Sequence, residues 1–342
     1  MSFETLALTW GALLGVLLAG YAILDGFDLG VGILHPFVPR DDREKRISLN
    51  SIGPLWDGNE VWLVTFGGAL FAAFPEAYAS AFSGFYLAFV ALLFALIFRA
   101  VSLEFRSKVA APAWRAGWDA GFFASSFLAS LLFGVAVGNV MRGLPLSARG
   151  DYVGGTLDLL HPYALLTGAF VVSLFALHGG IFLMLKTTGE LRARARRAVW
   201  RAYAAFVVLY AAVSIATWIS VPEAVANFAH ARWLWVVPVL NLAAVINVAR
   251  AVRRGRGGEA FVSSALAIVA LVALFAAAMF PNLLRSDPLP EHSLTLFNAA
   301  SSARTLEIML LIAALGLPFV LTYTVIIYRT YRGPVELGDH SY

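Results

Sequence analysis

The amino-acid sequence predicts an all-α multi-pass membrane protein with nine transmembrane helices. Two observations lead to this prediction, namely the composition and the distribution of basic residues along the chain. Of the 342 residues, 60% are hydrophobic and 13% are charged, and the mean hydropathy is +0.77. A soluble domain carries roughly a quarter charged residues, and a core of this size cannot bury so much apolar surface. The chain therefore has a lipid bilayer as its main solvent.

Each predicted span is an apolar run of about 20 residues, the length that a helix needs to cross roughly 30 Å of hydrocarbon. In chain order the runs are 7–34, 51–73, 77–99, 117–141, 161–185, 199–220, 233–250, 260–281 and 304–329. The second run is the least apolar because it contains acids and glycines. The N-terminal stretch lacks the basic region of a cleavable signal peptide, so we expect it to begin a retained first helix. The whole chain, 1–342, is predicted to be a single membrane domain.

Lysine and arginine residues are unevenly distributed between the two sets of connections. The loops after the first, third, fifth and seventh spans and the C-terminal tail carry 4, 4, 6, 4 and 2 basic residues, 20 in all, whereas the opposite side carries 5. Cytoplasmic loops are enriched in such residues. We therefore predict that the N-terminus lies outside and the C-terminus in the cytoplasm. Basic loops also contact anionic lipid, and no aromatic-rich basic region suggests that the chain binds nucleic acid.

Ligands for metals and haems are scarce in the sequence. There is no cysteine, which excludes disulfides, thiolate metal sites and iron–sulfur ligation. Of the six histidines, only His178 lies well inside a predicted span; the others are His35, His161, His230, His292 and His340. A bis-histidine haem needs two inward-facing histidines at matching depth. We therefore expect neither a haem nor a metal ion to be tightly bound by this chain.

Four carboxylates are predicted at membrane depth on two consecutive helices. Asp25 and Asp28 lie three residues apart in the inner half of the first span. Asp57 and Glu60 have the same spacing in the first turns of the second span. Residues three apart share a helix face. An ionised acid inside a membrane costs at least about 2–3 kcal/mol, so it usually faces a partner, a cavity or an ion path.

Two explanations of these acids are open at this point. In the first, they stabilise helix ends and form ion pairs with basic residues of the connecting loop, namely Arg40, Arg43, Lys45 and Arg46. In the second, they form a proton-conducting route from the cytoplasm. The predicted route consists of Asp57, Asp28, Asp25 and Glu60, with Trp62 as a candidate lining residue.

Several segments of the chain closely resemble subunit II of the cytochrome bd-type quinol oxidases. The similarity covers the whole chain in order, and the most specific motifs lie in the first 110 residues. The matching segments are LDGFDLGVGIL (24–34), RISLNSIGP (46–54), WDGNEVWL (56–63), GGALFAAFPEAYASAFSGFY (67–86), FRAVSLEFRSK (98–108), FGVAVGN (133–139) and TTGELRARAR (187–196).

The resemblance implies an architecture and a partner. Two similar nine-helix subunits pack as a pseudosymmetric heterodimer, and each consists of two four-helix bundles and a peripheral helix. In this chain the bundles would be 1–145 and 155–285, with 300–331 as the peripheral ninth helix. Subunit I would carry haems b558, b595 and d. Whether a small single-span accessory subunit joins the complex is left open.

The resemblance also implies a function in a bacterial or archaeal cell membrane. The complex oxidises quinol, reduces O2 to water and generates a proton motive force without pumping protons. Subunit II has no catalytic residue of its own. It supports assembly, helps to supply protons through the acids that match Asp57 and Asp28, and in some members holds a structural quinone.

Two alternatives from other classes are a proton-coupled transporter or ion channel and a purely structural scaffold. A transporter would carry mid-membrane acids or broken helices in both halves of the chain. The second half, residues 161–342, has no acid in the middle of a predicted span. The sequence therefore favours the oxidase subunit over a transporter.

Overall fold

A computed structural model describes residues 1–338 of the chain, so His340 lies outside the described residues. Within this range the chain forms twelve α-helices and one two-stranded antiparallel sheet. The helices are α1 (Phe3–Leu34), α2 (Asp42–Ile52), α3 (Trp56–Ala73), α4 (Pro75–Gly84), α5 (Tyr86–Phe105), α6 (Pro112–Arg142), α7 (Pro162–Lys186), α8 (Gly189–Ser220), α9 (Glu223–His230), α10 (Val236–Arg253), α11 (Gly257–Met279) and α12 (Ala303–Thr330). The strands are β1 (Asn282–Leu284) and β2 (Leu294–Thr295). The prediction of an all-α multi-pass membrane protein is confirmed.

Among the described residues, 8 helices are long and apolar enough to cross a membrane, namely α1, α5, α6, α7, α8, α10, α11 and α12. The helix at the position of the predicted second span, α3, is not one of them. It has only 18 residues, and its first turns contain Asp57, Asn59 and Glu60. The predicted count of nine therefore depends on whether α3 also crosses the bilayer.

The third predicted span, 77–99, is wrong in its limits. Its first residues belong to the 10-residue helix α4, and α5 begins only afterwards. Phe85, between the two helices, has φ −95° and ψ 20° and interrupts the helical conformation. Hydropathy does not detect this break because the residues on both sides are apolar. At its other end α5 continues to Phe105, so Arg99, the last residue of the predicted span, lies well inside the helix.

The central helix of the molecule is α1, which packs against α3, α6, α7 and α11. Every residue from Asp25 to Leu34 is buried. The closest approach is to α7, where a Cβ atom on Gly30 would lie 1.8 Å from the carbonyl oxygen of Phe175. The facing residue of α7, Gly179, also has no room for a side chain. Small residues often allow membrane helices to approach in this way.

Two long helices, α8 and α12, lie at the periphery. Only 6% of the apolar window of α8 and 0% of that of α12 are buried inside the chain, compared with 78% for α7. α8 packs on α7, whereas α12 contacts α1 and α3. The outer faces of both helices are therefore available to lipid or to another protein chain.

Candidate functional site

Two buried acids lie in the middle of the bundle on α1. Ser2 caps the N-terminus of this 32-residue helix, and its apolar sequence continues without a break as far as the acids. Asp25 and Asp28 are both 0% exposed. A carboxylate that is removed from water in this way needs a charged or hydrogen-bonding partner. The two acids find different partners, one on α5 and one on α3.

Arg99 of α5 is the partner of Asp25 and also of Glu60. Its Nη1 lies 2.6 Å from Oδ1 of Asp25, and its Nη2 donates to Oε1 of Glu60 on α3. The arginine is completely buried, whereas the side chain of Glu60 remains 25% exposed. Among the described contacts, the ion pairs of these two acids are therefore with a membrane-depth arginine, not with the loop residues that the sequence suggested. An arginine between apolar residues, as in LIFRAV, was the available signal for this role.

Asp28 is hydrogen-bonded to an uncharged side chain rather than to a cation. Nδ2 of Asn59 donates to Oδ2 of Asp28 at 2.7 Å and to the carbonyl oxygen of Leu24 at 3.2 Å. The hydroxyl of Tyr328, on α12, donates to Oδ1 of Asn59 at 3.0 Å. Oδ1 of Asp28 has no hydrogen-bond partner among residues 1–338. This series of hydrogen bonds connects the last helix with an acid of the first, and neither Asn59 nor Tyr328 was predicted from the sequence.

Asp57 is not brought together with the other three acids. It lies in the first turn of α3 on the exposed side of the helix. The N-cap position is occupied by Leu55, and no side chain caps this terminus by a hydrogen bond. The neighbouring Gly58 faces α12 instead, since a Cβ atom there would lie 3.3 Å from the ring of Tyr323. Asp57 therefore does not act as the N-cap, and its side chain faces away from the chain's own core.

Trp62 fills the contact between the two acid-bearing helices. A Cβ atom on Gly20 of α1 would lie 2.2 Å from the indole ring. The missing side chain at position 20 is therefore what lets the indole pack against α1. Trp62 remains partly exposed, and its role in lining a path stays a prediction.

A second cluster of charged residues lies near the loop between α1 and α2 and connects α2 with α6. Asp119 of α6 accepts from Nε of Arg106 at 2.5 Å and from Nζ of Lys45 at 2.9 Å. Nε2 of His35, just after α1, lies 2.8 Å from the same carboxylate. Asp42, at the start of α2, accepts from Nη2 of Arg106 at 2.9 Å. Burial lowers the pKa of His35, so a neutral imidazole donates to Asp119 and the cluster acts as a clamp between helices.

His178, the histidine inside a span, is fully used by contacts within the protein. Its Nε2 donates to the carbonyl oxygen of Ile23 at 3.1 Å, and its Nδ1 accepts from the hydroxyl of Ser264 at 2.7 Å. The ring also stacks on Phe261, with centroids 4.8 Å apart. Neither nitrogen is left to ligate iron. In the described part of the chain, no group of three or more His, Cys, Asp or Glu residues could hold a metal ion.

Comparison with known proteins identifies the family of this chain. Residues 6–331 match the family described as Cytochrome bd terminal oxidase subunit II. The chain belongs to this family. It is 38% identical to cytochrome bd-I ubiquinol oxidase subunit 2 of Escherichia coli K12, over 100% of this chain and 99% of the relative. It is 33% identical to cytochrome bd ubiquinol oxidase subunit 2 of Bacillus subtilis, over 96% of each chain.

The fold is similar to that of a chain in the structure of bd oxidase from Geobacillus thermodenitrificans. The TM-score is 0.76 at 17% identity, and the match covers 96% of this chain and 98% of the other. The resemblance inferred from the motifs is thus confirmed over the full length. This subunit II chain is a multi-pass protein of the bacterial cell membrane, and its family implies a partner, subunit I.

Proposed function

We propose that the chain is the haem-free subunit of a quinol oxidase that reduces O2 to water, and that it delivers protons to subunit I. The names of the Escherichia coli and Bacillus subtilis relatives, both ubiquinol oxidase subunits 2, support the quinol chemistry. The two engaged nitrogens of His178 support the placement of haems b558, b595 and d on the partner. The haems supply electron transfer to O2, whereas the residues of this chain hold and move protons.

The observation that carries the proton role is the charge imbalance around Arg99. Asp25 and Glu60 pair with this one guanidinium, and Asp28 lies close enough to interact electrostatically with it. One positive charge balances one carboxylate, so two further negative charges would be uncompensated if all three acids were ionised. Burying uncompensated charge costs several kcal/mol per ion. Proton binding removes this cost, and the cluster therefore takes up protons readily.

Asp57 has a separate place in the proposed route. It lies on the exposed side of α3, near Gly58, where α3 meets the peripheral helix α12. An ionisable side chain on a membrane-facing surface is costly unless a partner or a water path covers it. We therefore assign the face formed by α3 and α12 to the contact with subunit I. Asp57 passes protons at this contact, and Asp28, Asp25 and Glu60 hold them inside the chain.

We further propose that α3 is the ninth crossing. Its 18 residues span about 27 Å, which is close to the thickness of the hydrocarbon core. Its low hydropathy comes partly from Asn59 and Glu60, whose side chains bind residues of α1 and α5. Nine crossings place the basic loops together in the cytoplasm, with the N-terminus outside. The neighbouring helices α1, α3, α5 and α6 then form the first bundle (1–145), α7, α8, α10 and α11 the second (155–285), and α12 the peripheral helix.

The oxidase assignment is tested with the complex purified through an affinity tag on this chain after coexpression with subunit I. We expect b-type and d-type haem bands in its optical spectrum. The chain expressed alone should show no Soret absorption. A complex without either haem band would contradict the oxidase assignment, and a stoichiometric Soret band from the chain alone would contradict its haem-free character.

The proton role is tested by Asp28→Asn. The new amide oxygen still accepts the hydrogen bond from Asn59, so we expect normal assembly and haem content. Asparagine cannot carry a proton, so proton uptake after an O2 pulse should slow by about tenfold or more; one proton-transfer group contributes up to about 10²–10⁴-fold. A variant that turns over at the unsubstituted rate would show that Asp28 lies off the path.

A further inference from the structure

A cavity of about 440 Å³ lies between the end of α1 with the loop after it, the middle of α7 and the first half of α8. Four arginines line it, namely Arg40, Arg194, Arg197 and Arg201. The rest of its wall is made of aliphatic, alanine and phenylalanine side chains. A volume of this size is typical of a ligand site. None of the four acids of the proposed proton route lines this cavity.

The cavity keeps most of its positive charge. Of its four guanidiniums, only that of Arg194 forms an ion pair within residues 1–338, with Glu44. Nε of Arg194 also donates to the carbonyl oxygen of Val38 at 2.9 Å, so this side chain is fixed in place. Glu44 offsets one charge, and three guanidiniums remain for an anion from outside the chain.

The wall changes from charged to apolar along one face of α8. The charged positions are Arg194, Arg197 and Arg201, and the apolar positions on the same face are Ala198, Ala202 and Ala205. From the first of these residues to the last, the helix rises about 16 Å, which is roughly the hydrocarbon thickness of one leaflet. Arg197, Arg201 and Ala205 on this face are exposed, so the cavity is open to the surroundings of the chain.

We propose that this cavity binds an anionic phospholipid, with its phosphate on the three remaining guanidiniums, those of Arg40, Arg197 and Arg201, and an acyl chain along Ala202 and Ala205. Guanidinium groups recognise phosphate by paired, charge-assisted hydrogen bonds. Inorganic phosphate shares this chemistry but would use only the charged part of the cavity. The alanine wall that continues toward the membrane interior is what favours a lipid.

The test uses the complex with subunit I, stripped of lipid in detergent and titrated with phosphatidylglycerol or phosphatidylcholine under native mass spectrometry. We expect phosphatidylglycerol to bind and phosphatidylcholine not to bind. Arg197→Gln/Arg201→Gln should weaken phosphatidylglycerol binding by about thirtyfold, since each basic residue at a membrane surface contributes about fivefold. Arg192→Gln/Arg254→Gln is the matched control. It removes two exposed arginines outside the cavity, and binding should not change.

Ala205→Trp separates a lipid from a free anion. The indole fills the apolar wall, so phosphatidylglycerol should bind about tenfold more weakly while the arginines are untouched. Three results would overturn the proposal. The first is full phosphatidylglycerol binding by Arg197→Gln/Arg201→Gln, and the second is binding of phosphatidylcholine as tight as that of phosphatidylglycerol. The third is displacement of the lipid by millimolar inorganic phosphate together with unchanged phosphatidylglycerol binding in Ala205→Trp.

Discussion

Asp25, Glu60 and Arg99 bring charges from three different helices to one buried point. The geometry resembles a shared ion pair, in which one guanidinium faces two carboxylates. Such an arrangement adds little net stability when complete, because desolvation of the ions offsets their attraction. Removal of one partner is strongly destabilising, because it leaves the remaining charges buried and uncompensated.

Arg99→Gln should therefore destabilise the complex strongly. Asp25 and Glu60 would lose their cation, at a cost of about 3–5 kcal/mol, and we expect a clear fall in the thermal unfolding midpoint. The triple variant Arg99→Gln/Asp25→Asn/Glu60→Gln removes the charges together and should recover most of the loss. Arg115→Gln breaks a half-exposed ion pair and should cost less than about 1 kcal/mol. A triple variant no more stable than Arg99→Gln would mean that charge compensation is not the role of Arg99.

Asp57 offers the sharpest distinction between a proton carrier and a residue that only stabilises a helix end. Asp57→Asn should leave haem content intact and reduce oxidase turnover by about tenfold or more, because asparagine cannot transfer a proton. Glu76→Gln is the control. Glu76 is likewise an exposed acid in the first turn of its helix, α4, and interacts with the helix dipole in the same way. Near-normal turnover of Asp57→Asn, or an equal loss in Glu76→Gln, would remove Asp57 from the route.

At the scale of elements, α12 contributes to the site although it is peripheral. It lies against α1 and α3, and Tyr328 reaches from it to Asn59. The ring of Tyr328 also meets Phe27 of α1 edge-on, with centroids 6.4 Å apart. The helix thus holds Asn59 in the orientation that donates to Asp28.

Tyr328→Phe removes this hydrogen bond while it keeps the aromatic packing. We expect a loss of about 1 kcal/mol in stability and a slower turnover, because the unanchored Asn59 can turn away from Asp28. Tyr323→Phe, on the same helix, changes a tyrosine that is 53% exposed and serves as the control. Equal turnover in the two variants would show that the hydrogen bond to Asn59 has no part in the function.

The sequence predicts those properties of a helix that depend only on its own residues. The end of α1 at Leu34 could be predicted because its apolar run has no internal break, although the helix begins at Phe3, four residues before the predicted start. The limits of α5 could not be predicted, because Phe85 interrupts the helix without any change in hydropathy. The partner of Asp25 was missed for a related reason. Arg99 lies on another helix, and periodicity along one segment carries no information on contacts between segments.

At the scale of the whole molecule, the membrane topology can be measured directly, because the chain has no cysteine. A single cysteine can therefore be labelled with a membrane-impermeant maleimide, and the unsubstituted complex gives the background. With α3 as a crossing, Glu76→Cys should react in intact cells. Arg43→Cys and Ala110→Cys, which flank α3 and α5 on the other side, should react only after permeabilisation. All three positions are exposed. Identical labelling of Arg43→Cys and Glu76→Cys would show that α3 does not cross.

The hydrogen bond from Tyr328 to Asn59 also fixes an order of events during biosynthesis. The ribosome delivers α1, α3 and α5 early, so the ionic contacts of Arg99 can form while most of the chain is still untranslated. The hydroxyl that reaches Asn59 arrives only with the final helix. The surroundings of Asp28 are therefore complete only in a fully translated chain. A nascent or truncated chain would carry the ionic contacts of Arg99 but an unfilled acceptor on Asn59, a difference by which membrane quality control could tell the two forms apart.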